Sequence, residues 1–230
     1  MKKENKDSFP KERRPSAART SFPKERRSER SEDVTKELAE KLMKLRGEAR
    51  GMSLKDDAAY ALAKQGKEGL ERVEEELEKV GCPIKYAEIK TLGFYPVGWR
   101  AISLLAMQKV FGWGDEEFRE LGGFAPGNSL IVRVYTKFFH SIDLVVSKAP
   151  QMWGEYFTRG EFTVPDYDVE KKYAVVEIKD LDLHPVFCRL VEGYLATIIK
   201  MVVKPEEIKC REIKCTFEGQ DRHQFKFTWR

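Results

Sequence analysis

The chain has 230 residues, 41% hydrophobic and 35% charged, with 42 Lys+Arg against 38 Asp+Glu and four cysteines. That length supports a sizeable core. No apolar run approaches the roughly 20 residues a bilayer-spanning helix needs, and four cysteines are too few for a disulfide framework. The net charge of +4 is uneven: residues 1–30 hold 11 Lys/Arg and 5 Asp/Glu, and the rest hold 31 and 33. The body is therefore near neutral, which removes compositional support for nucleic-acid binding by it.

Residues 1–32 read as a disordered basic tail. Ser8-Phe9-Pro10-Lys11-Glu12-Arg13-Arg14 recurs unchanged at Ser21-Phe22-Pro23-Lys24-Glu25-Arg26-Arg27. Proline and charge leave too little apolar surface to offset chain entropy. The tail is a solubilising segment or an anchor for an acidic partner. No apolar segment follows Met1, so no secretory signal is expected and the location is read as cytoplasmic.

A helical part is expected over 33–126. Val34, Leu38, Leu42 and Leu45 have helical spacing behind Asp33 as N-cap, and Ser53 with Asp56 reads as a capping box opening a second helix. Leu70, Val73, Leu77 and Val80 stripe a third that stops at Gly81, and Pro96 precedes a fourth carrying Trp99, Ile102, Leu105 and Ala106. A short helix is expected at 115–121. Residues 127–230 then read as an α+β unit. Leu130, Val134, Phe138, Ile142 and Val145 predict a long apolar helix, with a short one at 151–156. A strand follows over 172–181, then a helix opened by Pro185, then strands over 208–217 and 223–229 with a turn at 219–221. The fold class is α+β, and 33–230 is expected to form one compact unit.

No G-x-G-x-x-G, Walker loop, H-E-x-x-H or G-x-S-x-G is present, and the three histidines are His140, His184 and His223. Asp180, Asp182 and His184 alternate along one strand face, as metal ligands would. The simpler reading is that Asp182 or His184 caps the next helix. The last hairpin carries more chemistry. A three-residue loop at 219–221 would set Phe217 opposite His223 and Cys215 opposite Phe225, leaving Cys215 and His223 as diagonal neighbours on an apolar face. One zinc can bridge such a pair, and Cys188 and Glu212 are available as further ligands. Glu212 sits three residues from Cys215, so a regular strand would turn it away unless a bulge intervenes. Without metal, buried cysteine and a hydrogen-bonded histidine serve as ordinary core.

Cys188-Arg189-Leu190-Val191-Glu192-Gly193-Tyr194-Leu195, followed by Cys215-x3-Gly219-x3-His223-x-Phe225, resembles the 4-vinyl reductase domain. That family belongs to a superfamily shared with haem–nitric-oxide-binding domains and subunits of the Golgi transport particle. Trp153-Gly154-Glu155-Tyr156-Phe157-x2-Gly160 fits it, and Gly66-x2-Gly69-Leu70 with Tyr95-Pro96 resembles a bacterial branch with an added helical part. The resemblance implies a non-catalytic sensor or adaptor for a small apolar or aromatic ligand, working through a homodimer and an output partner. The alternatives are a scaffold with a filled core and a pigment-type reductase. Some members hold zinc through Cys, Glu, Cys and Cys. Cys188, Glu212 and Cys215 match the first three, and His223 replaces the last cysteine. Haem is not expected: His140 lies in the apolar helix, but the Y-x-S-x-R motif of the haem relatives is absent, Tyr173-Ala174-Val175-Val176-Glu177 offering no arginine. Trp99, Phe138, Phe139, Trp153 and Tyr156 are the expected pocket walls, because such pockets are mostly apolar and aromatic.

Overall fold

The computed structural model describes residues 34–128 and 141–230. The tail with its duplicated heptapeptide, Asp33, Phe138, Phe139 and His140 lie outside the described residues. In chain order the elements are α1 (Lys36–Met43), β1 (Glu48–Arg50), α2 (Gly51–Lys79), β2 (Phe94–Pro96), α3 (Val97–Phe111), α4 (Asp115–Asn128), α5 (Ile142–Tyr156), β3 (Glu161–Asp168), β4 (Tyr173–Lys179), α6 (Pro185–Val203), β5 (Ile208–Lys214) and β6 (His223–Trp229). The fold is α+β, as expected, and one buried core runs from Val34 to Trp229.

The helical part follows the apolar spacing, with different punctuation. Thr35 caps α1, its hydroxyl accepting from Leu38 N at 3.2 Å. Ser53 and Asp56 do not cap anything: α2 opens two residues earlier, at Gly51, and Ser53 is buried inside it. The expected second and third helices are the two arms of α2, joined across Gly66, whose φ of 71° and ψ of −177° break the helical path. Gly66 takes this conformation without a Cβ penalty. Pro96 precedes α3 as expected.

The expected helix over 130–145 is not continuous. Ser141 is extended (φ −142°, ψ 152°), and its hydroxyl accepts from Leu144 N, so Ile142 and Val145 open α5 instead of closing an earlier helix. Beyond α5, four antiparallel strands form a sheet in the order β3-β4-β6-β5. Strand β3 was not anticipated. It is an edge strand with a register shift between Thr163 and Asp166, where Pro165 lies, and proline is tolerated at such a bulge. The small β1–β2 ribbon, only three residues per strand, also went unread.

Helix α6 lies against both halves of the molecule. It packs along α4 at very close range: a Cβ on Gly193 would sit 1.9 Å from Arg119 O, and one on Gly122 would sit 1.9 Å from Leu190 O. Each glycine therefore admits the backbone of the other helix. The other side of α6 meets α5, β5 and β6, leaving space between α5, α6 and the sheet.

Candidate metal cluster and apolar cavity

The C-terminal hairpin departs from the simplest register in a way that assembles a site. Cys210 pairs with Phe227 and Glu212 with Phe225, but Lys214 pairs with Gln224. Three residues thus oppose two, and the extra one, Ile213, is thrown outward to 48% exposure. This bulge is the condition under which Glu212 and Cys215 share a face. The strand also ends sooner than expected. Thr216–Glu218 forms a 3-10 turn, and Phe217 is 42% exposed instead of lying opposite His223. Gly219 closes the turn at φ 79°.

Ligand atoms of Cys188, Glu212, Cys215 and His223 all lie within 4.8 Å of one another, and all four residues are buried. His223 Nδ1 is 2.8 Å from Glu212 Oε1 and 3.6 Å from Cys188 Sγ. A tetrahedral zinc with bonds of roughly 2.0–2.3 Å separates its ligands by roughly 3.3–3.8 Å, so small side-chain shifts would close the set. The outer contacts orient each ligand. Thr216 Oγ1 is 2.9 Å from His223 Nε2, with Asp182 Oδ1 at 3.3 Å, which directs Nδ1 inward. Arg189 donates to Glu212 Oε2 at 2.7 Å, leaving Oε1 for the centre. Arg189 also donates to Glu192 Oε1 at 2.8 Å, and Arg119 donates to Glu192 Oε2 at 2.8 Å, tying the cluster to α4.

The electrostatics favour charge on Cys215, His223 and Glu212 and hold the Cys188 thiol neutral. A hydrogen bond with Cys188 holds the Cys215 thiol down at about 6 against the effect of burial, with His223 assisting. Cys188 is pushed well above its ordinary value by the same hydrogen bond and by burial. Burial opposes charge on His223, but hydrogen bonds to Cys215 and Glu212 outweigh it and raise the imidazole to about 9. Burial likewise opposes ionisation of Glu212, yet His223 and Arg189 lower it. Without metal the cluster is a compact zwitterion. The four residues fit zinc, which would act there as a structural crosslink between α6 and the hairpin. Of the earlier alternatives for 180–184, His184 is the helix cap, its Nδ1 accepting from Val186 N at 3.2 Å.

The second site is a cavity of about 130 Å³. Ile142, Val145, Val146, Ala149, Met152, Trp153 and Tyr156 of α5 face Phe187, Leu190, Val191, Tyr194 and Leu195 of α6, with Phe162, Val164, Ala174 and Val176 of the sheet beneath. Trp153 and Tyr156 are both among the lining residues. Trp99 is not among the lining residues: its ring stacks on Tyr95, centroids 5.4 Å apart. Phe187 and Val191 also line a small hollow beside Cys188 and His223, so α6 borders both sites.

Sequence reasoning missed the polar wall of the cavity, made by Ser53 and Asp56 from α2 and Arg100 from α3. Arg100 was the available signal, a lone charge within the apolar run of α3. It is buried and holds Asp57 through two hydrogen bonds of 3.0 and 3.1 Å. A haem needs an axial ligand and cations for its carboxylates. Among the described residues the lining holds neither histidine nor cysteine but does hold Met152, Tyr156 and Tyr194, which can serve as axial donors, and its one cation is engaged by Asp57. The described lining therefore supplies no free cation for haem carboxylates.

No protein-family model matches the chain, and no curated protein does. Solved structures do. An H-NOX protein from S. oneidensis in the Fe(II)NO ligation state is 14% identical, with a TM-score of 0.60 over 79% of this chain and 99% of that one. Fe(II) unliganded H-NOX from K. algicida is 12% identical, with a TM-score of 0.55 over 79% and 96%. An oxygen-binding H-NOX domain related to soluble guanylate cyclases is 16% identical, with a TM-score of 0.51 over 79% and 95%. At these identities the likeness is one of fold. Among the described residues, no helix is long and apolar enough to cross a membrane.

Proposed function

We propose that this protein is a non-catalytic sensor or adaptor domain whose cavity takes a small apolar or aromatic molecule of about one ring. The cavity itself carries the reading. Its volume of about 130 Å³ and its wall of aliphatic and aromatic side chains resemble the dry, engineered cavities of about 150 Å³ that accept benzene. It is smaller than the roughly 300–1,000 Å³ of drug-sized pockets, which argues for a compact ligand and against a tetrapyrrole. The H-NOX-like fold is consistent with a sensing role, since one neighbour is described as oxygen-binding.

Membership of the 4-vinyl reductase family, a structural zinc in the Cys188, Glu212, Cys215 and His223 cluster, a homodimer, and output through a partner protein belong to the same reading. A reducing, cytoplasmic location accords with four free cysteines. Zinc would pin α6, which walls the cavity, to the end of the sheet, so that occupancy of the cavity is felt on a rigid element. The test is a thermal-shift screen of the full chain with toluene, phenol, indole and haem. Single-ring compounds should raise the melting temperature by mass action, and haem should give no Soret band. A Soret band with a haem-dependent shift would overturn the ligand class. Silence from every compound would favour the filled-core scaffold instead.

A further inference from the structure

The four-stranded sheet turns one face to the cavity and the other outward, and the outward face is sorted by charge. Ala174 and Val176 line the cavity, so strand alternation turns Tyr173, Val175, Glu177 and Lys179 of β4 the other way. Directly paired residues share a face, and the register carries this one across all four strands. Asp168 pairs with Tyr173, Tyr173 with Thr228, and Thr228 with Lys209. Two residues along, Asp166 pairs with Val175, Val175 with Lys226, and Lys226 with Arg211. Edge strand β3 therefore presents Asp166 and Asp168, with Glu161 opposite Lys179, while edge strand β5 presents Lys209 and Arg211 beside Lys226. Glu161, Asp166, Lys209, Arg211 and Lys226 are all exposed.

This sorting works against the isolated chain, because Arg211 and Lys226 are like charges in one cross-strand pair. Local contacts soften it without undoing it. Asp166 accepts from the Tyr173 hydroxyl at 3.1 Å, Asp168 is paired with Lys171 at 2.7 Å, and Glu207 lies 3.3 Å from Lys209 at the basic edge. In the middle of the face Glu177 is paired with Arg222 at 2.9 Å. The outer edges keep opposite signs, and a face of that kind is complementary to itself. Resting on the homodimer proposed above, we infer that its interface is this outward face, with two copies stacked sheet to sheet about a two-fold axis running along the strands. That rotation exchanges the edges and keeps the rows level. Asp166 then meets Arg211 of the second copy, Asp168 meets Lys209, and the half-buried Val175 lies toward the middle. An axis across the strands would set like charge against like. Side-by-side pairing of β5 with β3 would leave further edges open and build an unclosed row of copies. A face four strands wide and seven residues long measures roughly 19 by 24 Å. The pair therefore sits at the small end of specific interfaces, and its association should be weak and salt-sensitive.

The test is sedimentation equilibrium on the full chain over a range of concentrations, at about 50 mM and about 500 mM salt. Wild type should form dimers at the lower salt and move toward monomer at the higher. Asp166→Lys and Arg211→Glu each set like charges against one another twice across the axis, and each should weaken the dimer by at least about tenfold. Both positions are exposed, so the variants should melt as wild type does. An equimolar mixture of the two variants should recover dimers that neither forms alone, because the introduced lysine then meets the introduced glutamate and the remaining Asp166 and Arg211 meet each other. Dimers of unchanged strength in both variants would overturn the inference and leave the homodimer to another surface. Weakened variants whose mixture stays monomeric would also overturn it, assigning the two charged edges to other partners. A wild type that is monomeric at every concentration would overturn the homodimer as well.

Discussion

The two candidate sites lie on either side of the first turns of α6, and they solve opposite problems. The cluster of Cys188, Glu212, Cys215 and His223 gathers ionisable groups in the interior and satisfies each of them, through Arg189, Thr216, Asp182 and Glu192. The cavity gathers apolar side chains that do not fill their space. Interiors are normally close-packed, and buried polar groups are normally bonded. The cluster obeys the second rule closely, as a permanent structural crosslink should. The cavity departs from the first, as a site open to a guest would.

The comparison is broken most severely at the cluster. Cys215→Ser should take zinc from about one equivalent per chain to none, as read by native mass spectrometry, and lower the melting temperature of zinc-loaded protein. Retention of zinc would show that the four residues are not the ligand set. Uptake should also weaken as pH falls. His223, raised to about 9, and Cys188, pushed well above its ordinary value, must each give up a proton to bind, and Cys215 adds a further competing proton below about 6. Competition titrations across that range would show affinity rising with pH.

At the cavity's polar wall, Asp57→Ala leaves the Arg100 guanidinium buried without its counterion. That should destabilise the fold by about 3–5 kcal/mol in denaturant titrations. A small loss would mean that Asp56 takes over the pairing with Arg100. A gentler change acts on the helix that borders both sites. Gly193→Ala places a methyl against Arg119 O and should cost about 1–3 kcal/mol as α4 and α6 part. Comparing zinc retention with cavity binding in that variant would show which site depends more on the seating of α6.

The cluster was legible in the sequence because most of it lies within one hairpin. Cys215 and His223 frame a turn marked by Gly219, and Glu212 needed only a bulge, which Ile213 supplies. The register was still misread, because a glycine marks a turn without saying that Thr216–Glu218 coils before it. The cavity was legible only in part. Trp153 and Tyr156 were found from aromatic content. Asp56 was lost because an acid after Ser53 looks like a capping box, and only the packing of α2 under α5 and α6 gives it another role. Trp99 failed for the converse reason: it is aromatic and half-buried, but Tyr95 occupies its face. Strand β3 was hidden by Pro165, whose place at a bulged edge depends on a partner strand the local pattern cannot reveal.

The central claim, that the space between α5, α6 and the sheet is a binding cavity, is tested most directly by filling it. Ala149 lies in its wall, so Ala149→Phe introduces a ring where the guest is expected. Toluene binding would be followed by thermal shift on wild type and variant side by side. The account predicts a concentration-dependent rise in the wild-type melting temperature and none in a folded Ala149→Phe. Equal shifts in the two proteins, or none in wild type, would contradict it.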